Sequence, residues 1–245
     1  MVQTEKRGEE SRVVSLESGR QPVREDLVPH TRSLWYVLRV MSEFVEGFDV
    51  VDGLARPAVT IFGSARLGEE DPAYDLVRRT AGLLGEEGYA VLTGGGPGLM
   101  EAANRGAREA GAPSAGLNIK LPNEQKTNRY ANIEVTFDFF PVRKALFSYI
   151  SVAIIATPGG WGTLDELFTI AALRQTGKIA PVPIYLLCSE YWDGLLAWFR
   201  EVLVPRGTIS TDDVESLLVF DDPVALVADL KERTRCLHPQ DLRRI

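Results

Sequence analysis

Two glycine-rich segments, TGGGPGLMEAANRGA (Thr93 to Ala107) and TPGGWGTLDEL (Thr157 to Leu167), carry the residues of this chain best suited to chemistry. Each closes an apolar run and opens a helix-like one. A glycine turn lets the backbone approach an anion without interference from Cβ, and the free N–H groups and positive dipole end of the next helix bind it. The expected guest is a nucleotide phosphate. One such turn alone says little, because many strand-to-helix connections carry glycine for packing. The second turn adds Thr163 and Glu166, three apart on one helix face beside the expected anion site. Arg143 and Lys144 follow Pro141 at the start of a helical segment, where basic groups oppose the helix dipole. Their position calls for a phosphate or carboxylate partner, unless they only decorate a surface. Acids in a first helical turn favour the dipole, and Asp165 fits that explanation better than Glu166, whose relation to Thr163 turns it toward the glycines.

The elements that must position these groups alternate. From Thr31, the residues Leu34, Leu38, Met41, Phe44 and Val45 recur at helical spacing. PAVTIFGSAR (Pro57 to Arg66) reads as a strand ending in a Gly-Ser turn, followed by a helix from about Pro72 to Glu87. YAVLTGGG is a strand entering the first glycine turn, with a helix through about Ala110. Strand-like SAGLNIK precedes the polar loop PNEQKTNRYAN, and VTFDFF leads into the helical PVRKALFSYI. VAIIAT, apolar without alternation, is what a fully buried central parallel strand looks like, and it delivers the chain to the second glycine turn. After a helix of about Gly162 to Gln175 come PVPIYLL, the aromatic-rich helix YWDGLLAWFREVL, the short strand SLLVF and a closing helix from about Pro223 to Arg233. The pattern predicts an α/β fold, a Rossmann-like doubly wound parallel sheet with helices on both faces and right-handed crossovers. Ligands in such sheets collect beyond the carboxyl ends of the strands at the switch in strand order. Both glycine turns, the Gly63-Ser64 turn and the segment after Phe140 are expected to meet there.

A chain of 245 residues suffices for one large domain, read here as 26–245 with its leading helix, after a charged flexible arm over residues 1–25. A net charge of -7 argues against a protein that wraps nucleic acid. Cys188 and Cys236 neither suggest a disulfide framework nor supply a metal cluster, and the sequence predicts a cytoplasmic protein. The start MVQTEKRGEESR lacks the apolar core of a secretory signal, and no run reaches the ~18 apolar residues of a membrane span. A dinucleotide fingerprint fails because Leu99 stands where its third glycine belongs, and Gly177-Lys178 is followed by Ile179 and makes no P-loop. His30 and His238 have no metal-ligand neighbours in sequence, and Ser64 in FGSAR is no nucleophile elbow.

PGGWGTLDE matches the pattern PGGxGTxxE of the LOG family, the cytokinin riboside 5′-monophosphate phosphoribohydrolases, many of which carry the label "lysine decarboxylase". GGGPGLMEA, the RK pair of PVRKALF and FGSAR resemble the family's other motifs, over roughly Ala58 to Phe220. The leading helix and GLNIKLPNEQ resemble its longer type. The resemblance implies hydrolysis of the N-glycosidic bond of a nucleoside 5′-monophosphate, cytokinin nucleotide or AMP, to free base and ribose 5-phosphate. It implies Arg143 and Glu166 as the catalytic pair, and Gly159, Gly160, Gly162 and Thr163 with Gly95 and Gly96 as the phosphate cradle. Ser64, Met100 and Lys144 would complete the pocket. It implies no metal and no organic cofactor, no nucleic-acid or membrane partner, and a homo-oligomer, either a dimer or a dimer-based hexamer. Short members often carry glycine after GLM; here Glu101 stands there, either lining the pocket or opening a helix. Two other readings remain at this point: a non-catalytic nucleotide-binding or sensing module of the same fold, and a general purine nucleotide nucleosidase.

Overall fold

Seven short apolar runs bounded by glycine, proline and polar turns form one parallel sheet in the order β4-β3-β2-β1-β5-β6-β7. The strands are β1 (Ala58–Phe62), β2 (Ala90–Thr93), β3 (Ser114–Ile119), β4 (Ile133–Phe137), β5 (Ser151–Ala156), β6 (Ile184–Leu187) and β7 (Leu217–Phe220). The computed structural model describes residues 34–54, 56–121 and 127–235. By contacts the chain divides into Met1–Leu38 and Arg39–Ile245; the second unit holds the whole sheet. The arm expected over residues 1–25 lies outside the described residues.

The connecting helices are α1 (Leu34–Asp52), α2 (Pro72–Glu86), α3 (Leu99–Glu109), α4 (Phe140–Ile150), α5 (Trp161–Gln175), α6 (Ser189–Trp198), α7 (Thr211–Glu215) and α8 (Pro223–Thr234). Proline at the first turn of α2, α4 and α8 sets the helical φ where no intrahelical donor is lost, and Asp71 and Asp222 cap α2 and α8 with their carboxylates. The aromatic helix read from Tyr191 runs on past α6 as a π-helical segment, Phe199–Leu203, and the short α7 with its Ser210 capping box was not foreseen from the sequence.

Strand alternation divides the core in two. Along β1, Ala58 and Phe62 face one layer, with Phe147, Leu186 and Trp192. Val59 and Ile61 face the other, with Val77, Leu99 and Leu226. Every residue of β1, β2, β5 and β6 is buried, as strands covered on both faces require. The order of strands reverses between β1 and β5, which pair in parallel from Ala58 with Ser151 to Phe62 with Ala156. That switch point opens the crevice beyond the carboxyl ends of the two strands.

Candidate active site

The end of β1 is stitched to both glycine turns. Ser64 N donates to Pro158 O at 2.9 Å, Leu99 N donates to Ser64 O at 2.8 Å, and Thr157 uses its N and Oγ1 to reach Phe62 O at 2.8 and 2.9 Å. Three chain segments distant in sequence thereby meet at one point. Around it lies a cleft of about 430 Å³, with Ser64, Met100, Arg143, Gly162, Thr163 and Glu166 in its lining. Gly160 caps α5 without a side chain of its own, so the first N–H groups of that helix open on the cleft and not on a capping residue. An anion is the natural partner for such a helix end.

Gly159 makes that turn sterically possible. A Cβ there would fall 2.1 Å from Thr163 Oγ1 and 3.1 Å from Ser64 N, so the turn could not close on the helix it precedes. Gly159→Ala is expected to displace the turn and weaken binding of ribose 5-phosphate by about tenfold or more, in keeping with the ~1–3 kcal/mol of an overpacked contact. Calorimetric titration of that ligand checks it; unchanged affinity would separate the turn from anion binding.

Arg143 and Glu166 project into the same cleft from α4 and α5, with Arg143 Nη2 3.5 Å from Glu166 Oε1. Their side chains are 13% and 4% exposed, so the pair is largely desolvated. Burial raises the Glu166 carboxyl above the usual glutamate range, while Arg143 and Lys144 pull it back. Burial likewise lowers the Arg143 guanidinium, opposed by Glu166 and Asp165. Arg143 rests over the rings of Phe140 and Phe147, at 5.3 and 5.9 Å from their centroids. Arg143 Nε and Glu166 Oε2 have no hydrogen-bond partner among the described residues. Buried polar atoms left in this state are expensive to keep, about 1–3 kcal/mol each, and persist where a ligand satisfies them.

The neighbouring charges are placed to hold this pair. Lys144 Nζ reaches Asp165 Oδ2 at 2.7 Å and Thr169 Oγ1 at 2.8 Å, locking α4 against α5 outside the cleft. Both basic residues at the start of α4 therefore have carboxylate partners. From α1, Glu43 accepts the N–H groups of Asp138 and Phe139 at 2.8 and 3.2 Å, which sets a carboxylate just ahead of α4 and offsets the basic residues there. This contact joins segments 95 and 96 residues apart and left no local sequence signal.

A family profile described as "possible lysine decarboxylase" matches residues 100–230. A cytokinin riboside 5′-monophosphate phosphoribohydrolase of Arabidopsis thaliana is 32% identical over 149 residues, 60% of this chain and 68% of that one. The chain belongs to the LOG family. A Mycobacterium tuberculosis protein named as the same hydrolase is 29% identical over 150 residues, 60% of this chain and 80% of its own length. Among solved structures, the molybdenum cofactor binding protein of Rippkaea orientalis superposes with a TM-score of 0.55 at 22% identity, covering 73% of this chain and 98% of that one. That likeness concerns the fold alone.

Of the residues the LOG resemblance implied, the structure brings Arg143, Glu166, Ser64, Met100, Gly160, Gly162 and Thr163 to the cleft. Gly95, Gly96, Gly159 and Lys144 do not line it. Gly95 and Gly96 are buried behind the first turn, where their carbonyls accept Asn128 Nδ2 at 3.2 and 3.0 Å. Asn128 Nδ2 also reaches Asn104 Oδ1, which accepts Thr93 Oγ1, so these glycines belong to a buried polar brace that shapes the turn. Gly94 is the glycine of that turn on the cleft. Glu101 faces Tyr74, whose hydroxyl donates to it at 3.3 Å, and stays outside the lining. Sequence reasoning missed Asn118, Arg66 and the exposed Trp161, all of which line the cleft. A polar residue inside the apolar run SAGLNIK was the available signal for Asn118.

The raised carboxyl of Glu166 has a consequence for stability. Between the ordinary glutamate value and the raised one, the unfolded chain has released a proton that the folded chain still holds, so stability falls as pH rises through that window. Glu166→Gln removes this pH dependence but leaves Arg143 without its carboxylate. The melting temperature of the variant is expected to change less than that of the parent between the ordinary and the raised carboxyl value; parallel melting curves across pH would contradict the assignment.

No helix among the described residues is long and apolar enough to cross a membrane.

Proposed function

We propose that this chain hydrolyses the N-glycosidic bond of nucleoside 5′-monophosphates, cytokinin riboside 5′-monophosphate and AMP among them, releasing free base and ribose 5-phosphate. The observation that carries this reading is the desolvated Arg143 and Glu166 pair, with Glu166 Oε2 unpartnered among the described residues in a cleft that ends at the bare start of α5. The phosphate sits at Gly160, Gly162 and Thr163, where helix N–H groups and dipole receive it. That anchor places C1′ of the ribose beside Glu166.

Cleavage then follows from charge. The C1′–N bond breaks with its electron pair leaving on the base, and positive charge grows on C1′ and the ring oxygen. A carboxylate in a water-poor cleft stabilises that charge far better than one in water. Glu166 is the only carboxylate among the described residues lining the cleft, so one group serves both halves of the reaction. It accepts a proton from the attacking water as oxygen bonds to C1′, and that proton balances the one taken up by the departing base. Arg143 opposes the protonation that burial favours at Glu166 and holds that side chain in place, and its own position is fixed by the rings of Phe140 and Phe147. An assembly of identical chains in the cytoplasm belongs to the same reading; exposed Met41 and Val45 of α1 and Trp198 of α6 supply apolar surface for contact.

The test is release of free base and ribose 5-phosphate from AMP and from isopentenyladenosine 5′-monophosphate by purified protein. Equal amounts of the two products from either nucleotide support the reading. Binding without cleavage of either nucleotide would favour a carrier or sensor.

A further inference from the structure

At the opposite end of the cleft from the α5 start, Asn118 lines the wall at the carboxyl end of β3. Along the sheet, β3 is separated from β5 by β2 and β1, three strand spacings or about 14 Å. That span suits a nucleotide lying across the strand ends with its phosphate at α5 and its base at β3. Asn118 is only 9% exposed, and its carboxamide is fixed in orientation. Nδ2 donates to Thr127 Oγ1 at 2.9 Å. Oδ1 lies over Gly95, where a Cβ would come within 2.1 Å of it; the left-handed φ of +72° at Gly95 and its missing side chain leave room for the amide. The N–H of Gly95 is already given to Thr93 Oγ1, so it does not bond Asn118 Oδ1.

We propose that Asn118 reads the base and selects 6-aminopurines. The inference rests on the phosphoribohydrolase reading of the cleft. Oδ1 accepts a hydrogen bond from the exocyclic N6–H, and the second N–H of Nδ2 donates to a ring nitrogen, the two-point pattern by which asparagine matches adenine. A base that keeps one N6–H retains the first of these bonds, so N6-monosubstituted adenines are accepted, whereas a 6-oxopurine sets its carbonyl oxygen against Oδ1. Met100, Ile119 and Leu121 also line the cleft and supply apolar contact for the ring and for an N6 substituent.

Equilibrium binding of AMP and of inosine 5′-monophosphate to the Glu166→Gln protein tests the idea without turnover. AMP is expected to bind about ten- to hundredfold more tightly, the range of a good two-point base contact. Asn118→Ala should bring the ratio close to one, mainly by weakening AMP. Thr127→Val leaves Asn118 in place but frees its amide to turn, and should narrow the ratio by strengthening inosine monophosphate, an effect that loss of folding does not mimic. Equal affinity for the two nucleotides in the parent, or equal weakening of both by Asn118→Ala, would overturn the proposal, as would binding of neither. A failed hydrolase reading shows itself separately, as absence of base release by the wild-type protein while the binding ratio persists.

Discussion

Glu166→Gln is expected to lower kcat for nucleotide cleavage by about 10²- to 10⁴-fold, the range for loss of a positioned acid–base group or a pre-set transition-state charge. Glutamine keeps the size of the side chain and can still bond a ribose hydroxyl. It has no charge to set against the cationic sugar and no basic oxygen for the water proton. The effect should therefore fall on kcat, with KM little changed, because the phosphate anchor proposed on α5 is untouched. Steady-state assays of base release check this, and a rise in KM with kcat preserved would reassign Glu166 to binding.

Arg143→Leu carries the second large effect, on both activity and stability. Removing one member of a buried pair leaves the other as an uncompensated charge, at a cost of about 3–5 kcal/mol. The cleft reaches solvent, and Arg143 retains 13% exposure, so the lower end of about 3 kcal/mol is expected at neutral pH. Without the guanidinium, burial acts on Glu166 with only Lys144 to oppose it, and the carboxyl rises further from its usual range. The unfolded chain titrates alike in parent and variant, so the destabilisation is largest where the folded parent holds Glu166 ionised and shrinks as the pH falls far enough to protonate Glu166 in the folded parent as well. Urea unfolding at several pH values measures it. In activity assays any residual rate should require higher pH than the parent, since cleavage needs the ionised carboxylate. A variant as stable as the parent at neutral pH, with unshifted activity, would show that the two side chains do not act as a pair.

The parts of this site legible in the sequence were those encoded within one strand-turn-helix unit. PGGWGT announces a bare helix start because glycines and a threonine at these spacings are what an anion-binding turn needs, and Glu166 follows from its three-residue offset to Thr163. The sheet was legible for the same reason: buried parallel strands read as unbroken apolar runs, and VAIIAT could hardly be placed elsewhere. What sequence could not decide was the direction each turn glycine faces. Gly94 lines the cleft while Gly95 and Gly96 are tied from behind by Asn128, a residue more than 30 positions away. The LOG resemblance implies a place for Lys144 in the pocket beside Arg143, yet one helical step turns it 100° around α4 onto Asp165. Asn118 and Glu43 escaped notice because their roles depend on strand order and on packing between distant helices, which no local pattern records.

In the proposed reaction a nucleotide bound at the α5 start loses its base to water beside Glu166. The most direct measurement is single-turnover cleavage of AMP in ¹⁸O-labelled water, with mass analysis of the ribose 5-phosphate formed at the first turnover. One labelled oxygen is expected at C1′ in the wild-type product, and no product on the same timescale from Glu166→Gln. Bound AMP that stays intact in the wild-type protein, or cleavage undiminished in the glutamine variant, would contradict it.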